Sequence, residues 1–293
     1  MSEATFTHIL THPGSAHKDD LLACCLLLAF NPAPILRKEP APHELADPHV
    51  AIVDVGDSHE PENGNFDHHQ FPRDAAPSCA LSLVLQYYGL YEDAKQFCEW
   101  LEPAEWFDCR GANKTAQWLG VEREIIGKLN SPIDVSLLRR FAASPSHQPG
   151  EPVWEMMRMV GQDLVEYLSG LRQRLNEIDR SCQIWKIDEA PDQANLVLFL
   201  PRVDPLPEEP SAGIGHYLRQ KAIDGQTIGT IYPDRRNTGY GISRYNDHPL
   251  LDFTRIEGES DVHFAHKSGF VAKTTATDPK RLRQLLLLGL KTT

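Results

Sequence analysis

Four short segments bring imidazoles and carboxylates together at spacings that suit metal chemistry. They are His12-Pro13-Gly14-Ser15-Ala16-His17-Lys18-Asp19-Asp20, then Asp54-Val55-Gly56, then Asp67-His68-His69-Gln70, and last Phe107-Asp108. Singly each is ordinary, because a histidine pair or an Asp-Val-Gly serves turns and helix caps in many proteins. Converging Asp19, Asp54, Asp67 and Asp108 in one place, however, would be costly, since neighbouring carboxylates resist joint ionisation. Divalent cations remove that cost. Imidazoles mixed with carboxylates suit Mn2+ or a similar ion better than a structural zinc. The number of candidate ligands fits two ions about 3.5–4 Å apart, an arrangement that activates water and stabilises in-line displacement at phosphorus. His8 reads as a core or sheet-edge residue, and Asp57, His59 and Glu60 as loop residues close enough to support the ligands.

These segments need elements that aim them at one point. Thr5–Thr11 reads as a buried strand, followed by the Pro13–Gly14 turn and a helix from about Asp19 to Phe30. Ile35–Lys38 and Val50–Val55 read as further strands. Ser78–Tyr88 has helical spacing with Ser78 as its N-cap, and helices also fit Asp93–Phe107 and Asp134–Ala143. Alternating strands and helices predict an α/β fold with a mainly parallel sheet covered on both faces. Each chemical segment then falls at a strand end, a following loop or a helix terminus, where open α/β sheets form ligand sites. The breaker-rich stretch Pro145–Pro152 predicts a domain boundary. The expected division is a catalytic domain over 1–150, an exposed linker helix over 151–181 and a smaller α/β substrate domain over 182–293. Strands are expected there at Gln183–Ile187, Leu196–Leu200, Thr227–Tyr232 and Gly239–Arg244, and a last helix from Asp278-Pro279.

The 293 residues supply ample core for two domains. Their charge is uneven. Residues 1–150 hold 11 Lys+Arg and 21 Asp+Glu, whereas residues 151–293 hold 18 and 20, giving −10 and −2 of the total −12. Such a chain is not built to grip long nucleic acid through general phosphate neutralisation. Eight of the 13 histidines lie within the first 69 residues, where the candidate ligands are. The six cysteines contain no Cys-x-x-Cys pair and read as buried reduced thiols. The longest apolar run, Leu21 to Phe30, has ten residues, about half of the roughly 20 that span a bilayer. No membrane partner and a cytoplasmic location are therefore expected.

The same motifs resemble the DHH phosphoesterase superfamily, and within it the Myg-type (melanocyte proliferating gene) branch. The resemblance rests on T-H-x-G-x-x-H-x-D at Thr11–Asp19, D-V-G at Asp54–Gly56 and D-H-H-Q at Asp67–Gln70. It continues through Ile231-Tyr232-Pro233 and His266-Lys267-Ser268-Gly269-Phe270. Two positions depart from the pattern: Asp20 stands where the branch usually has Glu, and the second domain lacks a Gly-Gly-His signature. The resemblance implies a DHH-type N-terminal domain and a pair of divalent ions, Mn2+ first, with Mg2+ or another ion as the alternative. It also implies roles. His12 and His17 would hold one metal, Asp19 the other, with Asp54 bridging and His68 and Asp108 completing the second site. His69 would face the substrate phosphate, and Asp67 would orient His68 or a neighbouring backbone group. The nucleophile would be an activated water, so no side chain need attack.

Further substrate contacts are expected from Arg110 and, in the second domain, from Arg235, Arg236, Arg244, His266, Lys267, Ser268 and Gly269. The expected activity is phosphodiester hydrolysis on RNA or short oligonucleotides, exonucleolytic in type. Alternatives are hydrolysis of a small phosphate compound (a dinucleotide, nucleotide or pyrophosphate) and a metal-binding module without turnover.

Overall fold

The computed structural model describes residues 5–128, 131–191 and 193–291. The chain is α/β and divides into two compact units, residues 1–170 and 171–293. The break falls inside a long helix, whereas the sequence placed a boundary in the breaker-rich stretch before it.

In the first unit a six-stranded sheet runs in the order β4-β5-β3-β1-β2-β6. Its strands are β1 (His8–Thr11), β2 (Ile35–Arg37), β3 (Val50–Val53), β4 (His59–Glu60), β5 (Asn65–Phe66) and β6 (Ser146–His147). The four central strands are parallel, and the two edge strands run antiparallel to them. All of Val50–Val53 is buried, as expected of a parallel strand covered on both faces. His59 and Glu60, expected in a loop, form the short edge strand β4.

The helices of this unit are α1 (Lys18–Phe30), α2 (Pro42–Leu45), α3 (Ala80–Tyr87), α4 (Tyr91–Phe97), α5 (Leu101–Leu119), α6 (Arg123–Lys128) and α7 (Pro132–Ala142). The acidic first turn of α1 complements the helix dipole. At its other end the Asn31 side chain accepts from Phe6 N–H and donates to Phe6 O, tying helix to strand entry. Two helix boundaries differ from expectation. Cys79, not Ser78, occupies the N-cap of α3 without a side-chain bond, and Ser78 N–H donates to Cys109 Sγ at 3.2 Å. The helix expected over Asp93–Phe107 is two, interrupted at Cys98–Trp100, and the second continues beyond Phe107 through a kink at Gly111 (φ 73°).

Helix α8 (Pro152–Ser181) is less exposed than its charged face predicts, since Trp154, Met157, Leu168, Leu175 and Ile178 are buried. Trp154 Nε1 donates to Ala33 O at 2.9 Å. Gly161 lies so close to α1 that a Cβ there would sit 1.8 Å from Cys25 O.

The second unit carries a sheet of order β11-β12-β10-β9-β8-β7. Its strands are β7 (Gln183–Lys186), β8 (Leu196–Phe199), β9 (Thr227–Pro233), β10 (Tyr240–Arg244), β11 (Val262–Ala265) and β12 (Val271–Thr274). Among the described residues only the β8–β9 pairing of this sheet is parallel. Ile228, Ile231, Ile242 and Ala272 pack with Leu282, Leu285 and Leu286. Those leucines belong to α10 (Pro279–Leu288), which follows α9 (Ile214–Gln220). Asp278 caps α10 by accepting from Lys280 N–H. Among the described residues no helix is long and apolar enough to cross a membrane.

Candidate metal centre

The ends of β1, β3 and β5 and the first turn of α1 meet Asp108 of α5 in the first unit. His12 follows β1, and Asp54 follows β3 in the left-handed region at φ 58°. A non-glycine residue pays a conformational cost there, and such conformations persist where the surroundings fix them. Asp67 and His68 follow β5, while Asp19 and Asp20 are buried in α1.

Distances within the cluster are short. His68 Nε2 lies 2.9 Å from Asp108 Oδ2 and 3.2 Å from Asp54 Oδ1. His12 Nε2 lies 3.2 Å from Asp20 Oδ2 and 3.6 Å from Asp54 Oδ2. His17 Nδ1 is 3.9 Å from Asp108 Oδ1. Four groups have possible ligand atoms that all lie within 4.8 Å of one another; besides Asp54, His68 and His69, and His68, Asp108 and Cys109, two of them hold the candidate ligands: His12, His17 and Asp54, and Asp19, Asp54, His68 and Asp108. Asp54 is common to both. Every candidate ligand from the sequence lies in one of these groups.

The polar satisfaction of this cluster is unusual. Among the described residues, both oxygens of buried Asp19, together with Asp54 Oδ1, His12 Nε2 and His68 Nε2, have no hydrogen-bond partner. The close approaches above are ion-pair distances without hydrogen-bond alignment. Leaving such atoms unpaired costs about 1–3 kcal/mol each, more for charged groups. Burial and the neighbouring carboxylates of Asp54 and Asp108 push the Asp19 carboxyl well above its usual range. Burial likewise raises Asp54, against the pull of His68. Burial lowers His68, yet Asp108 and Asp54 outweigh it and hold the imidazole up at about 12. Asp20 holds His12 at about 9, although burial opposes it. Protonated rings thus act as the counter-ions of these carboxylates, a task that divalent cations perform better. The donor set therefore fits metal ions.

The rings are also oriented from behind. His12 Nδ1 lies 3.0 Å from Pro13 O, a donation that leaves Nε2 facing the carboxylates, as metal-bound histidines are commonly arranged. Asp67, expected to orient His68 or a neighbouring backbone group, does hold neighbouring backbone, and the ring it holds is that of His69 rather than His68. Its Oδ1 is 2.7 Å from His69 Nδ1 and also accepts from His69 N–H, and its Oδ2 accepts from Asp57 N–H. His68 Nδ1 lies 3.9 Å from Cys109 Sγ.

Sequence reading gave Asp20 no role and missed Arg37 as a structural partner of the ligands. Asp20 is fully buried and accepts from His17 N–H at 2.8 Å. Its adjacency to Asp19 was the available signal.

Several expected substrate contacts are otherwise engaged. Arg110 donates through both terminal nitrogens to the carbonyls of Arg73 and Ala75, so its guanidinium holds that loop. In the second unit Arg235 pairs with Glu209, and Arg244 bonds Ser268 O and approaches Asp247. Arg236, Lys267 and Ser268 are exposed. His266 Nδ1 accepts from Ser268 N–H in the turn joining β11 to β12. Gly269, at φ 67°, has a structural reason to be glycine, since a Cβ there would meet Asp252 Oδ1 at 2.1 Å.

An α/β protein with a cluster of histidines and buried carboxylates able to hold metal is the class these observations define. Residues 8–89, which carry all the cluster's residues except Asp108, match the family MYG1_exonuc, described as an uncharacterised protein family (UPF0160). A MYG1 protein of Chlamydia pneumoniae is 38% identical over 95 residues, which are 30% of this chain and 31% of the relative. The match thus spans about a third of that relative's length. Two solved structures align at lower similarity. One is described as a pGpG-specific phosphodiesterase, PggH, from Vibrio cholerae, at 13% identity over 98% of this chain and 99% of that one, with a TM-score of 0.28. The other is described as the DHH domain of a member of a family of ribosomal proteins, at 13% identity over 98% and 88%, with a TM-score of 0.35.

Proposed function

We propose that this chain is a divalent-metal-dependent phosphoesterase that hydrolyses phosphodiester bonds in short nucleic acids, working as an exonuclease on RNA or oligonucleotides. The observation that carries the reading is Asp19. It is a buried carboxyl group with no hydrogen-bond partner among the described residues, set among Asp54, His68 and Asp108 in a stretch of chain that is matched largely to MYG1_exonuc. Two divalent cations, one held by His12, His17 and Asp54 and one by Asp19, Asp54, His68 and Asp108, would supply Lewis acidity toward a phosphoryl oxygen and make water a stronger nucleophile. Mn2+ suits this mixture of imidazole and carboxylate.

The chain's own residues then have separable tasks. Asp54 joins the two ligand groups. Asp67 accepts from His69 Nδ1–H and fixes the ring, so that Nε2 is the atom available to a phosphoryl oxygen or a leaving oxygen. A positioned imidazole of this kind typically contributes about 100- to 10,000-fold through proton transfer. His69→Ala is therefore expected to slow turnover by about 100-fold or more while metal content stays at the wild-type value, measured by elemental analysis beside steady-state kinetics. Loss of metal in that variant would make His69 a ligand instead.

The second unit would bind substrate, with Arg236 and Lys267 as its candidate cations. The first 150 residues carry −10, and Arg110, Arg235 and Arg244 are occupied by protein partners. Too few cations remain to follow many phosphates. Efficiency is expected to peak on oligonucleotides of a few residues and to fall only modestly with salt. Measuring kcat/KM with Mn2+ over graded oligonucleotides, dinucleotides and pyrophosphate at two salt concentrations tests this. A steady rise with length and a steep salt slope would contradict it, and equal turnover of pyrophosphate would remove nucleic acid as the particular substrate.

A further inference from the structure

The loop between His12 and His17 is exposed at Pro13, Gly14 and Ser15, and it turns through Gly14 at φ 86°. A loop of this kind would hold its two flanking imidazoles loosely unless something fixed it from beneath. Arg37 does so. Its Nη1 donates to Gly14 O and its Nη2 to Ser15 O, each at 3.1 Å. Nη2 also lies 3.8 Å from Asp20 Oδ2, the same oxygen that is 3.2 Å from His12 Nε2. One guanidinium thus reaches the loop between the two histidines and the carboxylate beside one of them.

Arg37 is itself held rigidly. It stands opposite Thr11 in the β1–β2 register, and its N–H donates to Pro145 O at 2.8 Å. Its guanidinium lies 4.7 Å over the Phe141 ring, which stacks on His147 at 5.2 Å. The His147 Nε2 is 2.9 Å from Phe141 O. The side chain is only 2% exposed, so its charge needs Asp20 nearby. Two adjacent carbonyls served by one planar fork are a task for arginine, which lysine's single ammonium does not reproduce.

We infer that Arg37 is a positioning residue that presets the His12–His17–Asp54 ligand group, leaving the Asp19–Asp54–His68–Asp108 group to its own supports. This rests on the metal-dependent reading above. Outer-shell partners of metal ligands typically account for about 10- to 100-fold in affinity, and the effect here should fall on one ion of the two.

The test is calorimetric titration of metal-free protein with Mn2+, for the wild type, Arg37→Lys and Arg37→Met, with circular dichroism and thermal unfolding of each. Arg37→Lys keeps the charge beside Asp20 and loses the fork; Arg37→Met removes both. The expected result is one ion bound as in the wild type and the other about 10- to 100-fold more weakly in a folded Arg37→Lys protein. Unchanged binding of both ions overturns the inference, as does equal weakening of both, which marks a general structural role. Failure of both variants to fold overturns it too, since Arg37 would then serve the fold at large. A wild-type protein that takes up no Mn2+ instead removes the reading beneath it.

Discussion

Asp54→Asn is expected to leave a folded protein whose turnover falls at least about 100-fold, the scale lost when even an outer-shell partner of a metal is removed. The backbone is not the reason. Asparagine tolerates the left-handed conformation that residue 54 adopts at φ 58° about as well as aspartate does. What changes is chemistry. The carboxylate approaches His12 through Oδ2 and His68 through Oδ1, so each oxygen serves a different ligand group, whereas an amide offers one oxygen and a nitrogen that cannot accept. Metal content by elemental analysis should fall below two per chain, with circular dichroism unchanged. Wild-type turnover in a variant of unchanged metal content would show that Asp54 joins nothing.

Chelation is expected to abolish turnover, with Mn2+ restoring it better than Ca2+. Calcium prefers six to eight oxygen ligands in a loose shell, and this cluster offers imidazoles in each group. Metal return should also stabilise the protein, because an ion that binds only the folded state adds RT ln(1 + [L]/Kd), about 2.7 kcal/mol at a concentration of 100 Kd. A rise in unfolding temperature with Mn2+ and a parallel recovery of activity are the paired observations to seek. Full turnover in excess chelator, with metal shown absent, removes the proposed function.

The candidate ligands were legible because they sit in short contiguous segments at the ends of strands, where local spacing shows in the sequence. Their partners were not. Arg37 is a lone cation in a three-residue strand, and only the register with Thr11 carries it beneath the loop of Gly14 and Ser15. Two adjacent imidazoles, His68 and His69, look alike in sequence, so which of them turns to Asp67 emerges only from the backbone. The break between α4 and α5 at Cys98–Trp100 is announced by Pro103 alone, which falls in the first turn of α5 and which a helix drawn through Asp93–Phe107 overrides. Basic residues of the second half can be counted in sequence, but Glu209 and the carbonyl of Ser268 engage two of them in contacts that only tertiary structure brings about.

The close seam between Gly161 and Cys25 reaches further than the packing of two helices. Any larger residue at 161 requires α1 and α8 to move apart, since its first side-chain carbon would begin 1.8 Å from a carbonyl oxygen. Cys25 stands six residues from Asp19, about 9 Å along the axis at 1.5 Å per residue. The other end of that lever carries Asp19 and Asp20. A tilt started at the seam would swing both carboxylates relative to Asp54, so the spacing of the candidate ligands depends in part on a residue that touches none of them.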